Sequence, residues 1–131
     1  TRGVDSGSAV HEALGAARSL ALGRGCVVVV SGERDMITDG AATWFVHGGS
    51  PLMTRVTGLG CTASALVGAC AGVADSLLAA GVSGMAVMSA AGSVAEAYSA
   101  GPGSLQLNFL DALYNLSEKD LREQIRLEQD G

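Results

Sequence analysis

CVVVVS, Cys26–Ser31, is the stretch that decides the fold. Its valines form a β-branched run with no polar residue alternating through it. A strand of that kind needs cover on both faces, as in a parallel sheet held between helices. Upstream, Val10, Leu14, Ala17 and Leu20 recur at three- and four-residue spacing, with Glu12 and Arg18 on the other side. Asp5, Ser6 and Ser8 are good N-caps, so an amphipathic helix is predicted there, stopped by Gly23 and Gly25.

Downstream, the β-type runs MIT and TWFV are joined through Asp39–Gly40, a pair that favours a type I′ turn, and they predict a small antiparallel hairpin at the sheet edge. From Gly60 the composition turns to Ala, Gly, Ser, Val and Leu, and two helices are predicted, 61–80 and 83–99, split at Gly81. Gly68, Gly72 and Gly92 would each cost about 1 kcal/mol against Ala if exposed, so they predict close helix packing. Ser104 is a cap for a last core helix, LQLNFLDALYNL, with Leu107, Leu110, Leu113 and Tyr114 on one face. The charged tail from Ser117 to Gly131 keeps Leu121, Ile125 and Leu127 to one side and reads as a surface or partner-facing helix. No internal repeat is present. The order is that of an α/β chain holding part of a three-layer sheet, because a doubly covered strand requires neighbours that these residues do not contain.

The 131 residues are 48% apolar, enough for a packed core. Only 16% are charged and the net charge is −5, which excludes the clustered Lys and Arg that a nucleic-acid partner requires. Cys26, Cys61 and Cys70 have no CxxC spacing and no nearby His, so they read as reduced thiols of a cytosolic chain. Cys26 and Cys70 are expected as buried small hydrophobes. TRGVDSGS lacks the pattern of a secretory signal and begins without Met. The apolar run Cys61–Ala74 is shorter than the roughly 18 to 20 residues of a membrane span.

The candidate site is RVTGLGCTAS, Arg55–Ser64. Gly58 and Gly60 free the backbone to turn sharply and to gather N–H groups at one point, and Cys61 opens a long helix there. First-turn N–H groups and the positive end of the helix dipole converge on the same spot, which suits a phosphate. The Cys61 thiol stands where an alcohol substrate meets a bound phosphoryl group; orientation and a late proton acceptor are what such a transfer needs. Glu33, Asp35 and Asp39 form an acidic group near the ligand edge and read as solvated hairpin residues. His11 and His47 read as surface residues, Arg55 as a packing or interface cation, and Asp111 as a helix or subunit contact.

Three blocks, SGERDMITDG (31–40), HGGSPLMTRVTGLGCTASALVGA (47–69) and GPGSLQLNFLDALYNL (101–116), resemble the hydroxyethylthiazole kinase family in order and spacing. The similarity runs from Gly3 to Leu116. It implies a partial ribokinase-like three-layer α/β/α sandwich, with residues 1–116 as the carboxy-terminal part of one kinase domain and 117–131 as a helical tail. It implies ATP and Mg2+ as cofactors, a thiazole alcohol of thiamine salvage as substrate, a homotrimer, and a cytoplasmic location. By the same resemblance Cys61 is the catalytic residue where the superfamily usually has Asp, Gly58 and Gly60 form the anion hole and approach the substrate, and Ser31 contacts ATP. Leu59 departs from the Thr or Ala expected between the glycines and would narrow the pocket. The family's thiazole pocket, magnesium carboxylates and phosphate-binding arginine belong to an amino-terminal half preceding Thr1, and that half is the partner this chain is expected to need.

Overall fold

The computed structural model describes residues 6–130. Asp5, one of the expected caps, lies outside them. Helix α1 (Ser6–Arg24) ends where Gly25 turns with φ of 61°. Strands β1 (Val28–Val30), β2 (Arg34–Thr38) and β3 (Thr43–His47) follow, then a 3₁₀ turn (Pro51–Arg55). Helices α2 (Leu59–Ala71), α3 (Leu77–Glu96), α4 (Pro102–Asn115) and α5 (Glu118–Gln124) lead to the last strand, β4 (Arg126–Asp130).

The sheet has the order β1-β2-β3-β4 and is antiparallel throughout, so the parallel pairing expected for the valine run is absent among the described residues. Among the described residues β1 pairs with β2 on one edge only, and Val30 is exposed. That open edge explains why a run so apolar is only half-buried. The two faces are nevertheless covered by helices, which gives the three expected layers. Successive strand side chains alternate between faces. Met36 and Phe45 meet Ala17 of α1, while Ile37 and Val46 meet Met85 of α3.

Several local expectations change. The face of α1 toward the sheet is Leu14, Ala17 and Ala21, with Leu20 exposed, because small alanines let the helix lie close. The β2–β3 connection spans Asp39–Ala42, and Asp39 has no positive φ, so the turn is not type I′. Asp39 Oδ1 instead accepts from the Ala41 and Ala42 N–H groups at 2.9 and 2.8 Å. The helix break falls at Gly72–Ser76, where the Ser76 hydroxyl caps α3 by accepting from Ala79 N. Gly81 lies inside α3, buried, where a Cβ would stand 2.8 Å from Ile37 Cγ2.

Helix α3 is long and apolar enough to cross a membrane by length and composition, yet it lies in the core, between the sheet and the outer helices α2 and α4. Where Gly81 meets the sheet, Gly84 and Gly92 meet the outer elements, Val67 of α2 and Met53 of the 3₁₀ turn. Gly68 has no neighbour within 4 Å of a built Cβ, so close packing is not its reason. In α4 the buried face is Leu105, Phe109 and Ala112, packed on Met88, Ala91 and Ala95 of α3. Burying Phe109 completely contributes about 1.5–3 kcal/mol. Leu107, Leu110 and Tyr114, expected in the core, are 69%, 56% and 90% exposed.

The charged tail is helical only through Gln124. Arg126–Asp130 pairs with β3, and every residue of that strand is exposed. Its alternation RLEQD is too polar to signal a strand, but charge suits an edge that must not recruit further strands. Arg18 of α1 clamps it through Asp130 at 2.8 Å.

Candidate functional site

β1 and β3 both end at the side of the sheet where Arg34 pairs with His47, so the turn Ser31–Glu33 and the linker Gly48–Ser50 leave from one end. Ligands of open α/β sheets lie off the carboxyl ends of strands. From Ser50 the chain passes through the 3₁₀ turn to Gly58. Leu59 and Ala63 pack on the α3–α4 core around Met88, Ala91 and Ala95, while Val67 lies on Gly84. α2 therefore runs antiparallel to α3, and its amino end lies beside the half of α3 that approaches Gly48 and Gly49.

Gly58 is the N-cap residue of α2, in the left-handed region at φ of 91°, where a side chain would be strained. Gly60 is helical and has no atom within 4 Å of a built Cβ. Nothing inside the chain crowds a side chain there, so packing does not account for the glycine. Cys61, beside it, is exposed, and no residue of α2 is buried. The Thr62 and Ser64 hydroxyls turn back to the Gly58 and Gly60 carbonyls at 3.2 and 3.1 Å, leaving the donors of the helix start facing outward. Leu59 points its half-buried side chain into the α3–α4 core rather than narrowing a pocket. Ser31 is exposed in the turn after β1, so the candidates form two groups, one at the head of α2 and one on the β1–β2 turn.

Asp35 is the residue the sequence reading misplaced. It is 7% exposed in β2, on the face that carries Ile37, and is not a solvated hairpin residue. Its Oδ1 accepts from Gly32 N at 3.2 Å and its Oδ2 from Ser89 Oγ at 3.1 Å. The parity of Asp35 with Ile37 was the available signal. Burial raises its carboxyl above the ordinary carboxylate range, partly offset by the Gly32 N–H and the Ser89 hydroxyl. The folded protein therefore holds this proton at a pH where the unfolded chain has lost it, and stability falls as pH rises from about 4 through the raised value. Asp39 and Asp120 shift downward, through the Ala42 and Ala41 N–H groups and through Ser117 respectively, and so oppose this trend. Asp35→Asn leaves those two in place, so the difference in thermal midpoint between wild type and variant is expected to move toward the variant as pH rises. Differential scanning calorimetry of both across that window checks it.

Cys26 is exposed ahead of β1, not buried, and Cys70 is half-buried near the end of α2. His47 bonds Glu128 at 2.7 Å across the β3–β4 pair. Among the described residues no group of three or more His, Cys, Asp or Glu side chains gathers to hold a metal.

The pattern of the hydroxyethylthiazole kinase family matches residues 1–119. A hydroxyethylthiazole kinase of Nitratidesulfovibrio vulgaris (strain DP4) is 54% identical over 127 residues, covering 97% of this chain and 48% of the relative. One from Syntrophus aciditrophicus is 51% identical over 127 residues, covering 97% of this chain and 47% of the relative. The solved hydroxyethylthiazole kinase protein of Pyrococcus horikoshii OT3 superposes with a TM-score of 0.88 at 30% identity, over 95% of this chain and 48% of that one. The chain spans about half the length of these relatives. A glycine turn opening an exposed helix, on a sheet covered by helices on both faces, together with a match across nearly its whole length, makes this chain a member of the hydroxyethylthiazole kinase family.

Proposed function

We propose that this chain supplies the anion turn and the acceptor thiol of a kinase that transfers the γ-phosphoryl group of ATP to the hydroxyl of 4-methyl-5-(2-hydroxyethyl)thiazole. The observation that carries the reading is the head of α2. Gly58 takes a left-handed cap, Gly60 leaves open space, and Cys61 is exposed on the first turn of a helix with uncommitted N–H groups. A glycine in a helix costs about 1 kcal/mol against Ala, and a phosphoryl group close to the backbone is a reason to bear it. In this reading the N–H groups bind the transferring phosphoryl group, Cys61 orients the alcohol and accepts its proton late, and the Ser31 turn contacts ATP. Magnesium would supply charge neutralisation at the nucleotide phosphates; among the described residues no group of three or more His, Cys, Asp or Glu gathers to hold it, and this reading assigns its carboxylates to the other half of the domain.

The open edge of β1 and the exposed Leu107, Leu110 and Tyr114 support a chain that works only with the rest of its domain, in a homotrimer. The test is co-expression with the residues of the Nitratidesulfovibrio vulgaris relative that this chain does not cover. The pair should phosphorylate the thiazole alcohol in preference to a panel of other small alcohols, including hydroxymethylpyrimidine. Turnover of a pyrimidine alone would replace the substrate, and a soluble, active monomer of this chain would refute the need for a second half.

A further inference from the structure

We propose that Ser89 and Ser93, one turn apart on α3, are positioning residues that hold the nucleotide-side turn and the linker to the anion turn at a fixed separation. The inference rests on the kinase reading above. Ser89 reaches the first loop through Asp35: its hydroxyl donates to Asp35 Oδ2 at 3.1 Å, and Asp35 Oδ1 takes the Gly32 N–H at 3.2 Å, next to Ser31. Ser93 reaches the second loop directly: Gly49 N donates to its Oγ at 2.8 Å, and the hydroxyl donates back to Gly49 O at 3.3 Å.

A serine inside a helix can bond back to the carbonyl four residues earlier, as Ser64 does to Gly60. Ser89 and Ser93 direct their hydroxyls off the helix, one toward each loop that leaves the ligand end of the sheet. The linker lies so close to α3 that a Cβ on Gly48 would stand 3.6 Å from Ser89 Cβ, and one on Gly49 3.8 Å from Ser89 Cα. Packing alone does not require a carboxyl at position 35. The position lies opposite Val46 on the strand face that also carries Ile37 and packs on α3, where an apolar side chain would avoid desolvation. Both contacts of Asp35 go to the turn and to α3, so the buried group is used to fix one against the other.

The test uses this chain co-expressed with the complementary half of the Nitratidesulfovibrio vulgaris kinase. Ser89→Ala should raise KM for ATP up to about tenfold, the upper scale of one net hydrogen bond, and leave KM for the thiazole alcohol nearly unchanged. Asp35→Leu should do the same, and Asp35→Asn, which keeps an acceptor for Gly32 N–H, should recover most of the loss. Ser93→Ala should lower kcat several-fold with KM for ATP unchanged. Hydrogen exchange at the Gly32 amide should speed up in Ser89→Ala, and at Gly49 in Ser93→Ala, independently of turnover. Unchanged kinetic constants with an active wild type, or equal losses in every constant tracking a lowered melting temperature, would overturn the proposal while leaving the kinase reading intact. A wild-type pair without turnover, with exchange unchanged in both variants, would overturn both.

Discussion

In the completed enzyme, Cys61→Ala is expected to lower kcat about a hundredfold, at the low end of what a positioned proton acceptor contributes, with KM for ATP little changed. The low end is appropriate because the proton of the attacking alcohol moves late in a loose phosphoryl transfer, when the bond to the leaving oxygen is largely broken. What remains after the substitution is the proposed anion turn, whose donors belong to the backbone between Gly58 and Cys61 and do not change with the side chain. Cys61→Ser, which keeps a hydrogen-bonding group at the same reach, should fall between the two. Since Cys61 is exposed and no residue of α2 is buried, neither substitution opens a cavity, and melting temperatures should stay within about a degree of wild type. Single-turnover kinetics separates the step: a slowed burst assigns Cys61 to the chemistry, and an unchanged kcat removes it.

The parts of the candidate site whose local geometry was legible in the sequence are the parts set by the backbone. Gly58 must be glycine because the cap of α2 has positive φ, and Cys61 follows it by chain connectivity alone. The hairpin of β2 and β3 was legible through its two β-type runs. It forms the middle of the described sheet, between β1 and β4, rather than the expected edge, because Arg126–Asp130 adds to β3. The expected layers followed from the valine run. What escaped depended on side-chain contacts across long separations. Asp35 looks like a turn residue until β2 and β3 pair Asp35 with Val46 and turn it toward Ser89, 54 residues away. β4 escaped because an edge strand of charged residues has no hydrophobic period of its own and forms only when β3 offers it a ladder. The face of α4 was misread for a different reason. Leu107, Leu110 and Tyr114 do form an apolar stripe, but the stripe that meets α3 is the one with Phe109 and the small Ala112, which lets the two helices approach.

Gly84→Ala is expected to destabilise the chain by about 1–3 kcal/mol, the range for overpacking a close contact. A Cβ at Gly84 would stand 2.7 Å from Val67 Cγ2, 2.8 Å from Val67 Cα and 3.0 Å from Val67 N. The side-chain methyl can rotate away, but the backbone atoms of α2 cannot, so relief requires moving the helix. The contrast is Gly92, where the obstruction is the flexible thioether of Met53, and where Gly92→Ala should cost less for the same added methyl. Gly68→Ala, with open space around it and a helical backbone, should stabilise by up to about 1 kcal/mol and serves as the internal control. Denaturant unfolding of the three variants orders them, and equal midpoints for Gly84→Ala and Gly68→Ala would refute the close approach of α2 and α3. The functional consequence follows from where the contact lies. Val67 is about two and a half turns along α2 from Gly58, so lifting the helix off α3 would tilt the proposed anion turn away from the Ser31 turn, and Gly84→Ala should lose turnover even under conditions in which it remains folded.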